Sequence, residues 1–324
     1  MAIIALREIL LTAFVSTSTH RSNSNFNTNG HIWNRAGQRT LTSPLPSMPS
    51  TSLMATSEPS PAADAAATGS TQKVETQDDA PVDNMIERYQ ELAHKLEQLY
   101  DAKFGSSTTT DDDAPQQLWI GIAGGPGSGK STSAERVTEI LNTHSDIAVV
   151  LPVDGYHTPR AQLQDALLRR GAPWTFDVAM CAEDLRRAKR DGKASLPIYD
   201  RDISDPRRDG VQLERHHKFV LVEGLYLLFR DDDDPARAHR QDHGNGWAEL
   251  YDLWDERWFI RAPSREVQYS RLINRSLKTW TDAKAEVWGT GEEGATKRVQ
   301  FNDAKNMDLI APHEQYADEV IVTM

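Results

Sequence analysis

A glycine-rich octapeptide is the clearest chemical signal in the sequence. The stretch GGPGSGKS, from Gly124 to Ser131, fits the pattern G-x-x-x-x-G-K-[ST]. Its glycines let backbone N–H groups curl around phosphate oxygens, and the helix that follows offers its positive N-terminal end. We predict that it binds a nucleoside triphosphate, that Lys130 bridges the terminal phosphates and that Ser131 holds Mg²⁺. The predicted nucleotide-binding residues are Gly124, Gly125, Pro126, Gly127, Ser128, Gly129, Lys130, Ser131 and Thr132.

Two acidic residues stand at the ends of apolar, strand-like runs. Asp154 follows IAVVLPV (147–153), and Glu223 closes the run in KFVLVEG (218–224). Ligands of open parallel sheets bind at the carboxyl ends of the strands, so Asp154 is positioned to take a proton from an attacking hydroxyl. Asp-Gly is also a common turn pair, so Asp154 has a turn-capping alternative. We predict that Glu223 contributes with Ser131 to the metal site.

A basic helix forms the third part of the constellation. The stretch SREVQYSRLINRSLK (264–278) carries Arg271 and Arg275 four positions apart, so both lie on one helix face. Arginines that close over a transferred phosphoryl group stabilise its charge and exclude water, which predicts a catalytic lid. A solvated basic face is the alternative. The glycines of WGTGEEGAT (288–296) predict a flexible connection after this helix.

Strand and helix patterns alternate through the C-terminal two thirds of the chain. Apolar runs rich in β-branched residues indicate strands that are covered on both faces, and helical stretches between them indicate crossovers and a parallel sheet. The fold class is therefore α/β. The acidic stretch 230–246 is interpreted as a solvated insertion. The predicted strands are LWIGIA (118–123), IAVVLPV (147–153), KFVLVEG (218–224), RWFIRA (257–262) and ADEVIVT (317–323).

The N-terminal third divides into three segments. Residues 1–57 are rich in Arg and Ser and contain a single acid, Glu8, which is typical of a chloroplast or mitochondrial transit peptide. The alternative is a disordered tail without a targeting function in a cytoplasmic protein. Residues 58–81 have the composition of a disordered linker. Apolar residues recur every three or four positions over 82–104, which predicts an amphipathic helix that packs on the core or binds a partner. The P-loop domain is assigned to 116–324.

Composition excludes several classes of protein. The formal net charge of −12 argues against a protein that binds the phosphate backbone of a nucleic acid. No apolar run approaches the roughly 20 residues of a membrane helix. Cys181 is the only cysteine, which rules out an intrachain disulfide. We therefore expect the binding partner to be a small molecule, not a nucleic acid or a membrane. The sequence is also compatible with an oligomer.

Ordered motifs beyond the phosphate loop resemble a known family. They are LPVDGYH (151–157), RRGAPWTFD (169–177), LPIYDRDISDP (196–206), VLVEGLYLL (220–228) and FNDAKNMDLI (301–310). Together they resemble the phosphoribulokinase/uridine kinase family of P-loop kinases, closest to its nucleoside/nucleotide-kinase-like branch and more distantly bacterial pantothenate kinase. The resemblance implies a P-loop NTPase three-layer fold with a central, mostly parallel sheet.

The resemblance also implies roles for single residues. Asp154 matches the catalytic base, Glu223 the acid of the second phosphate-binding signature, and the pair Arg271 and Arg275 the R-L-x-x-R lid. Residues in the positions where family members build the acceptor pocket are Asp177, Tyr199, Asp200 and Arg201. The branch often has Asp-Asn soon after its DGFH motif, where this chain has TPR (158–160). Basic residues near these segments are compatible with an anionic acceptor or with exposed helix faces; they are Arg160, Arg169, Arg170 and Arg201.

These observations predict an ATP- and Mg²⁺-dependent phosphotransferase. The predicted catalytic residues are Lys130, Asp154, Arg271 and Arg275. The acceptor is a hydroxyl of a small metabolite such as a nucleoside, a sugar or a pantothenate-like alcohol. A P-loop ATP-binding regulator, or a slow NTPase without an acceptor, is the alternative. The chain has no N-K-x-D motif, which counts against a GTPase.

Overall fold

The computed structural model describes residues 82–105, 114–230 and 246–324. The predicted transit peptide or tail (1–57), the linker (58–81) and residues 231–245 of the acidic insertion lie outside the described residues. Strands in the described part of the chain are β1 (Leu118–Ala123), β2 (Ala148–Pro152), β3 (Ala194–Asp200), β4 (Asp205–Leu213), β5 (Phe219–Glu223), β6 (Glu256–Arg261) and β7 (Glu319–Val322). Helices in the same ranges are α1 (Val82–Phe104), α2 (Lys130–Leu141), α3 (Arg160–Leu163), α4 (Val178–Asp191), α5 (Arg265–Lys278), α6 (Asp282–Trp288), α7 (Gly291–Arg298) and α8 (Ala304–Ile310).

A parallel sheet forms the centre of the described structure. Its strand order is β2-β5-β1-β6-β7, and every neighbouring pair is parallel. The strands are apolar on both faces because side chains alternate between two cores. Trp119 and Val220 face the core that includes α4, whereas Ile120 and Leu221 face the core that includes α1 and α2. Helices therefore cover both faces, which confirms the predicted three-layer α/β fold.

An antiparallel hairpin of β3 and β4 is an element that the sequence analysis did not predict. Much of β4 is solvent-exposed, so its sequence DPRRDGVQL lacks the apolar run that marked the central strands. The register shifts between Leu196 and Ile198. A Cβ at Gly210 would lie 2.2 Å from Ile198 Cγ1, so this position has room only for glycine. The hairpin places Tyr199 beside the turn that follows β2.

The prediction of a flexible connection over residues 288–296 was wrong. These residues include the end of α6 and most of α7. Gly294 lies in α7, where the helix passes close to the preceding turn. A Cβ at this position would lie 2.1 Å from the carbonyl oxygen of Gly289, so the close approach requires glycine. The glycine therefore permits a close approach of two backbone segments, a role that glycine content alone does not distinguish from flexibility.

Helix α1 packs on the sheet and on the phosphate-loop helix α2. Leu92 and Leu96 are buried in the shared core, and Tyr89 Oη lies 3.3 Å from Ser133 Oγ of α2. Lys95 Nζ contacts Glu256 Oε1 at 2.5 Å and Glu319 Oε2 at 3.0 Å. These contacts match the core-packing alternative for this helix. Among the described residues, no helix combines the length and the apolarity that a membrane span needs.

Replacing Lys95 with Met is expected to destabilise the fold by about 1–3 kcal/mol. The Glu256 side chain is only 8% exposed, so it loses the cation that offsets its burial. Urea denaturation measures the change. The matched control is Arg136→Met, since Arg136 and Glu139 pair at 2.8 Å with side chains 61% and 62% exposed, and it should cost less than about 0.5 kcal/mol. Equal effects of the two substitutions would contradict the assigned role of Lys95.

The effect of the Lys95 substitution should depend on pH. Burial favours a higher pKa of Glu319, but hydrogen bonds and charges from Lys95 and Arg88 outweigh it and lower that pKa. A carboxyl with a lowered pKa stabilises the folded state above its ordinary pKa and loses this contribution as the pH falls through its folded value. The stability difference between the wild type and the variant should therefore shrink in acid.

Candidate functional site

The phosphate loop connects β1 to α2 with a backbone that requires glycine. Gly124, Gly127 and Gly129 have φ values of +153°, +77° and +103°. A Cβ at Gly124 would lie 2.2 Å from the carbonyl oxygen of Ile260, which belongs to β6. Gly129 occupies the N-cap position of α2 and has no side chain to satisfy the N–H groups of the first turn. These groups form a site suited to phosphate oxygens.

Lys130, Ser131 and Glu223 lie together at the carboxyl ends of neighbouring strands. Strand β5 runs between β1 and β2, and its register pairs Glu223 with Ile122 on one side and with Pro152 on the other. Ser131 Oγ donates a hydrogen bond to Glu223 Oε1 at 3.1 Å. Burial and the charge of Asp154 raise the pKa of Glu223, whereas Lys130 and the Ser131 hydrogen bond oppose this shift.

The donor atoms at this point suit a magnesium ion. Magnesium prefers hard oxygen ligands such as a hydroxyl or a carboxylate, usually with waters and substrate phosphates completing its shell. Ser131 and Glu223 supply a hydroxyl and a buried carboxylate within hydrogen-bond distance of each other. These residues therefore fit the predicted ion chemically.

Asp154 lies in a short helical turn, Val153–Tyr156, that follows β2. Its side chain is 47% exposed, and its Oδ1 is 4.0 Å from Nε2 of His157. His157 stacks on Phe176 with ring centroids 3.9 Å apart, and burial lowers its pKa. The turn thus holds a half-exposed carboxylate beside a packed aromatic wall. Asp154 therefore lies in a turn, and its role as the catalytic base stays a prediction.

The four residues predicted to contact the acceptor have different surroundings in the structure. Tyr199 joins the wall around Asp154, because its ring lies 5.5 Å from that of His157. Asp177 is exposed and caps α4, accepting a hydrogen bond from Met180 N at 3.0 Å. Asp200 accepts a hydrogen bond from Asp202 N at 3.0 Å within the hairpin turn, where Arg201 is exposed. Contacts with an acceptor stay predictions for all four residues.

The two predicted lid arginines have different surroundings. Arg271 donates to Thr323 Oγ1 at 2.8 Å and to the carbonyl oxygens of Ser128 at 3.4 Å and Met324. It therefore ties α5 to the carbonyl side of the phosphate loop and to the segment after β7. Arg275 lies one turn further along α5 and is exposed. Lid closure stays a prediction.

A buried polar group in the FNDAKNMDLI segment was not assigned a role from the sequence. Asn302 accepts a hydrogen bond from Arg169 Nε at 3.1 Å and donates to the Arg170 carbonyl oxygen at 2.8 Å. Asp303 and Asn306 are also buried, and Asn306 Oδ1 has no hydrogen-bond partner among the described residues. The signal that could have identified them is the set of three amide and acid side chains on a segment that packs on the core.

Comparison with known proteins supplies the family. No protein-family model matches the chain. A Schizosaccharomyces pombe protein provisionally named a uridine kinase is 28% identical over 216 residues, which cover 64% of this chain and 83% of that protein. The ATP-dependent kinase-like protein notR′ of Aspergillus versicolor is 31% identical over 136 residues, or 39% of this chain and 71% of that protein. The chain belongs to the phosphoribulokinase/uridine kinase family of P-loop kinases.

Other similar proteins agree with this family of P-loop kinases. A pantothenate kinase of Streptococcus equi is 26% identical over 59% of this chain and 61% of its own length. A uridine kinase of Chlamydia pneumoniae is 27% identical over 48% of this chain and 62% of its own length. A solved structure from Silicibacter sp. TM1040, provisionally described as a fructose transport system kinase, aligns over 69% of this chain and 98% of its own with a TM-score of 0.54 and 25% identity.

Proposed function

We propose that this P-loop kinase transfers the γ-phosphoryl group of ATP to a hydroxyl of a small metabolite, with Mg²⁺ as cofactor. The observation that supports this most directly is the arrangement at three neighbouring strand ends. Lys130 and Ser131 follow β1, Glu223 ends β5, and the half-exposed Asp154 follows β2. A cation, a metal-binding pair and a carboxylate on adjacent strands are the parts that in-line phosphoryl transfer requires.

The chain's residues account for each part of the reaction. The Asp154 carboxylate accepts the proton of the acceptor hydroxyl, and the hydroxyl oxygen forms a bond to the γ-phosphorus. The bond between that phosphorus and the β–γ bridging oxygen breaks, and ADP leaves with the electron pair. Lys130 and the N–H groups of the phosphate loop neutralise the oxygens of the transferred group. Mg²⁺ held by Ser131 and Glu223 supplies further neutralisation of phosphate charge when bound.

The names of the relatives favour acceptors of more than one chemical class. Relatives are named for uridine and for pantothenate, which are a neutral nucleoside and a carboxylate-bearing alcohol. We therefore place a nucleoside, a sugar and a pantothenate-like alcohol in the acceptor panel. The aromatic wall of His157, Phe176 and Tyr199 beside Asp154 is compatible with any of them.

The test is an acceptor panel with the full-length protein, ATP and Mg²⁺. At least one acceptor should stimulate ADP release, and mass spectrometry should find that acceptor heavier by one phosphoryl group. ATP binding with slow hydrolysis, unchanged by every acceptor, would contradict the proposal and favour the ATP-binding regulator or slow NTPase.

A further inference from the structure

Carbonyl groups of the phosphate loop accept hydrogen bonds from side chains of α5 and of the segment after β7. Gln268 Nε2 donates to the Pro126 carbonyl oxygen at 2.8 Å. Thr323 Oγ1 donates to the Ser128 carbonyl oxygen at 2.8 Å, and Arg271 Nη1 approaches the same oxygen at 3.4 Å. We call Gln268, Arg271 and Thr323 the carbonyl clamp. The clamp therefore holds two peptide groups of the loop that are separated by one residue.

Thr323 contacts the loop with both parts of its side chain. It is only 6% exposed, and its backbone N–H donates to the Arg261 carbonyl oxygen of β6 at 2.9 Å. Its hydroxyl accepts a hydrogen bond from Arg271 Nη1 at 2.8 Å while it donates to Ser128. A Cβ at Gly129 would lie 2.9 Å from Thr323 Cγ2, so the methyl group lies directly against the loop. The end of the sheet thus fixes this threonine under the loop.

Gln268 approaches the loop from α5. It lies three positions before Arg271, so both side chains extend from one face of the helix toward the loop. A Cβ at Gly125 would lie 2.7 Å from Gln268 Nε2 and would displace the amide that holds Pro126. Because φ of Gly125 lies outside the left-handed region, the glycine is explained by this close approach rather than by its backbone conformation.

Each clamped carbonyl determines where the next N–H group points. In a planar trans peptide, the carbonyl of one residue and the N–H of the next point in opposite directions. The Pro126 carbonyl therefore sets the direction of the Gly127 N–H, and the Ser128 carbonyl sets that of the Gly129 N–H. Hydrogen bonds that draw these carbonyls toward the clamp turn both N–H groups to the other side, where successive N–H groups form an anion site.

A loop of this composition needs such support. Four of the six residues in 124–129 are glycines, which have more backbone freedom to lose on ordering than any other residue. Without the clamp, a peptide group that rotates would present its carbonyl oxygen to the phosphates and repel them. A loop that is already ordered before the ligand arrives removes this ordering cost from binding.

We propose that Thr323 and Gln268 are positioning residues, which hold the carbonyls of the phosphate loop back so that its N–H groups face the phosphates of the nucleotide. The inference rests on the proposed kinase function for the identity of this ligand. Neither residue touches the nucleotide, because both act through the loop backbone. Arg271 belongs to the same clamp, but it is also a predicted lid residue, so the test uses the other two positions.

The hydroxyl of Thr323 is tested by the isosteric substitution Thr323→Val. Calorimetric titration of the full-length protein with ADP and Mg²⁺ should show a Kd raised about fivefold, the usual effect of one lost hydrogen bond. KM for ATP should rise equally, whereas kcat should stay within about twofold and KM for the acceptor should not change. Thr323→Ser keeps the hydroxyl and should restore the Kd.

The matched control lies at the other end of α2. Thr143 is exposed, and its Oγ1 donates to the Ile140 carbonyl oxygen at 2.7 Å, so Thr143→Val removes the same kind of hydrogen bond far from the loop. It should leave the Kd for ADP unchanged. A wild-type Kd for ADP in Thr323→Val, or an equal rise in KM for the acceptor, would overturn the inference.

Gln268→Glu tests the second contact by reversing its polarity. A carboxylate placed against the Pro126 carbonyl repels it, so the Kd for ADP should rise at least about tenfold, and more than in Gln268→Leu. Asn274→Asp adds the same charge to an exposed position of α5 and should stay within about twofold of the wild type. Equal effects of the two acidic substitutions would mean that added charge alone weakens binding, which would overturn the role of Gln268.

Nucleotide binding and acceptor turnover separate this inference from the proposed function. If no acceptor is phosphorylated but Thr323→Val and Gln268→Glu weaken ADP binding as expected, the kinase function fails and the positioning role stands. If acceptors are phosphorylated but both variants bind ADP as the wild type does, the kinase function stands and the positioning role fails.

Discussion

Replacing Asp154 with Asn is expected to lower acceptor-dependent turnover by about 10²-fold or more and to leave ATP binding near the wild-type value. An amide keeps the size and hydrogen-bonding reach of the carboxylate but does not accept the hydroxyl proton. The side chain is half exposed and follows the end of a strand, so the substitution should leave the fold stable. Stopped-flow nucleotide binding and a coupled ADP assay measure the two effects separately.

Strand β2 provides the matched control for this substitution. Asp146 precedes the strand and Asp154 follows it, so the two carboxylates lie at opposite edges of the sheet. The Asp146 side chain is 72% exposed and pairs with His216. Asp146→Asn should therefore retain wild-type turnover. If Asp154→Asn also turned over at the wild-type rate, Asp154 would not be the base and the proposed mechanism would be wrong.

Replacing Lys130 with Met should lower turnover by about 10²–10³-fold, the usual cost of removing one preorganised group that stabilises transition-state charge. Lys130 is only 9% exposed and begins α2, directly after the phosphate loop. Methionine preserves much of the side-chain length and removes the charge. The exposed Lys193, after α4, gives the control Lys193→Met, which should keep wild-type turnover.

The Lys130 substitution should also change how stability depends on pH. Glu223 has a raised pKa in the folded state, so its contribution to stability falls as the pH rises from the ordinary pKa of glutamate through the raised value. Lys130 opposes this shift, and its loss should make the fall steeper. Urea denaturation at several pH values tests this. In the double variant Lys130→Met/Glu223→Gln, the additional pH dependence of the free energy of unfolding should disappear. An unchanged slope in Lys130→Met would show that the two groups do not interact.

The phosphate loop and the sheet could be predicted because their signals are local. Positive φ values at Gly124, Gly127 and Gly129 require glycine wherever the loop occurs, so the spacing of the motif appears directly in the sequence. Strands buried on both faces must be apolar throughout, as β1 and β5 are. The carboxyl ends of neighbouring parallel strands lie at the same edge of the sheet, and this brings Asp154 and Glu223 to one edge. The strand topology alone therefore predicts that these two residues lie close together.

Elements exposed to solvent could not be predicted in the same way. Strand β4 carries polar residues along much of its length, so no alternation of apolar residues marks it. Gly294 resembles a hinge in the sequence, and only the path of the neighbouring turn shows that it allows close packing. Asp177 is predicted from the family resemblance to contact the acceptor, and only the structure shows that its side chain also caps α4.

The amino-acid sequence by itself determined the P-loop, the α/β architecture and the strand-end acids, because each depends on conformational preferences and burial within a few neighbouring residues. Only the tertiary structure decided that Arg271 binds the carbonyl side of the phosphate loop and that Asn302 joins Arg169 and Arg170. Electrostatic interactions depend on distance in space. Residues far apart in the chain come within that distance only when the whole core closes around them.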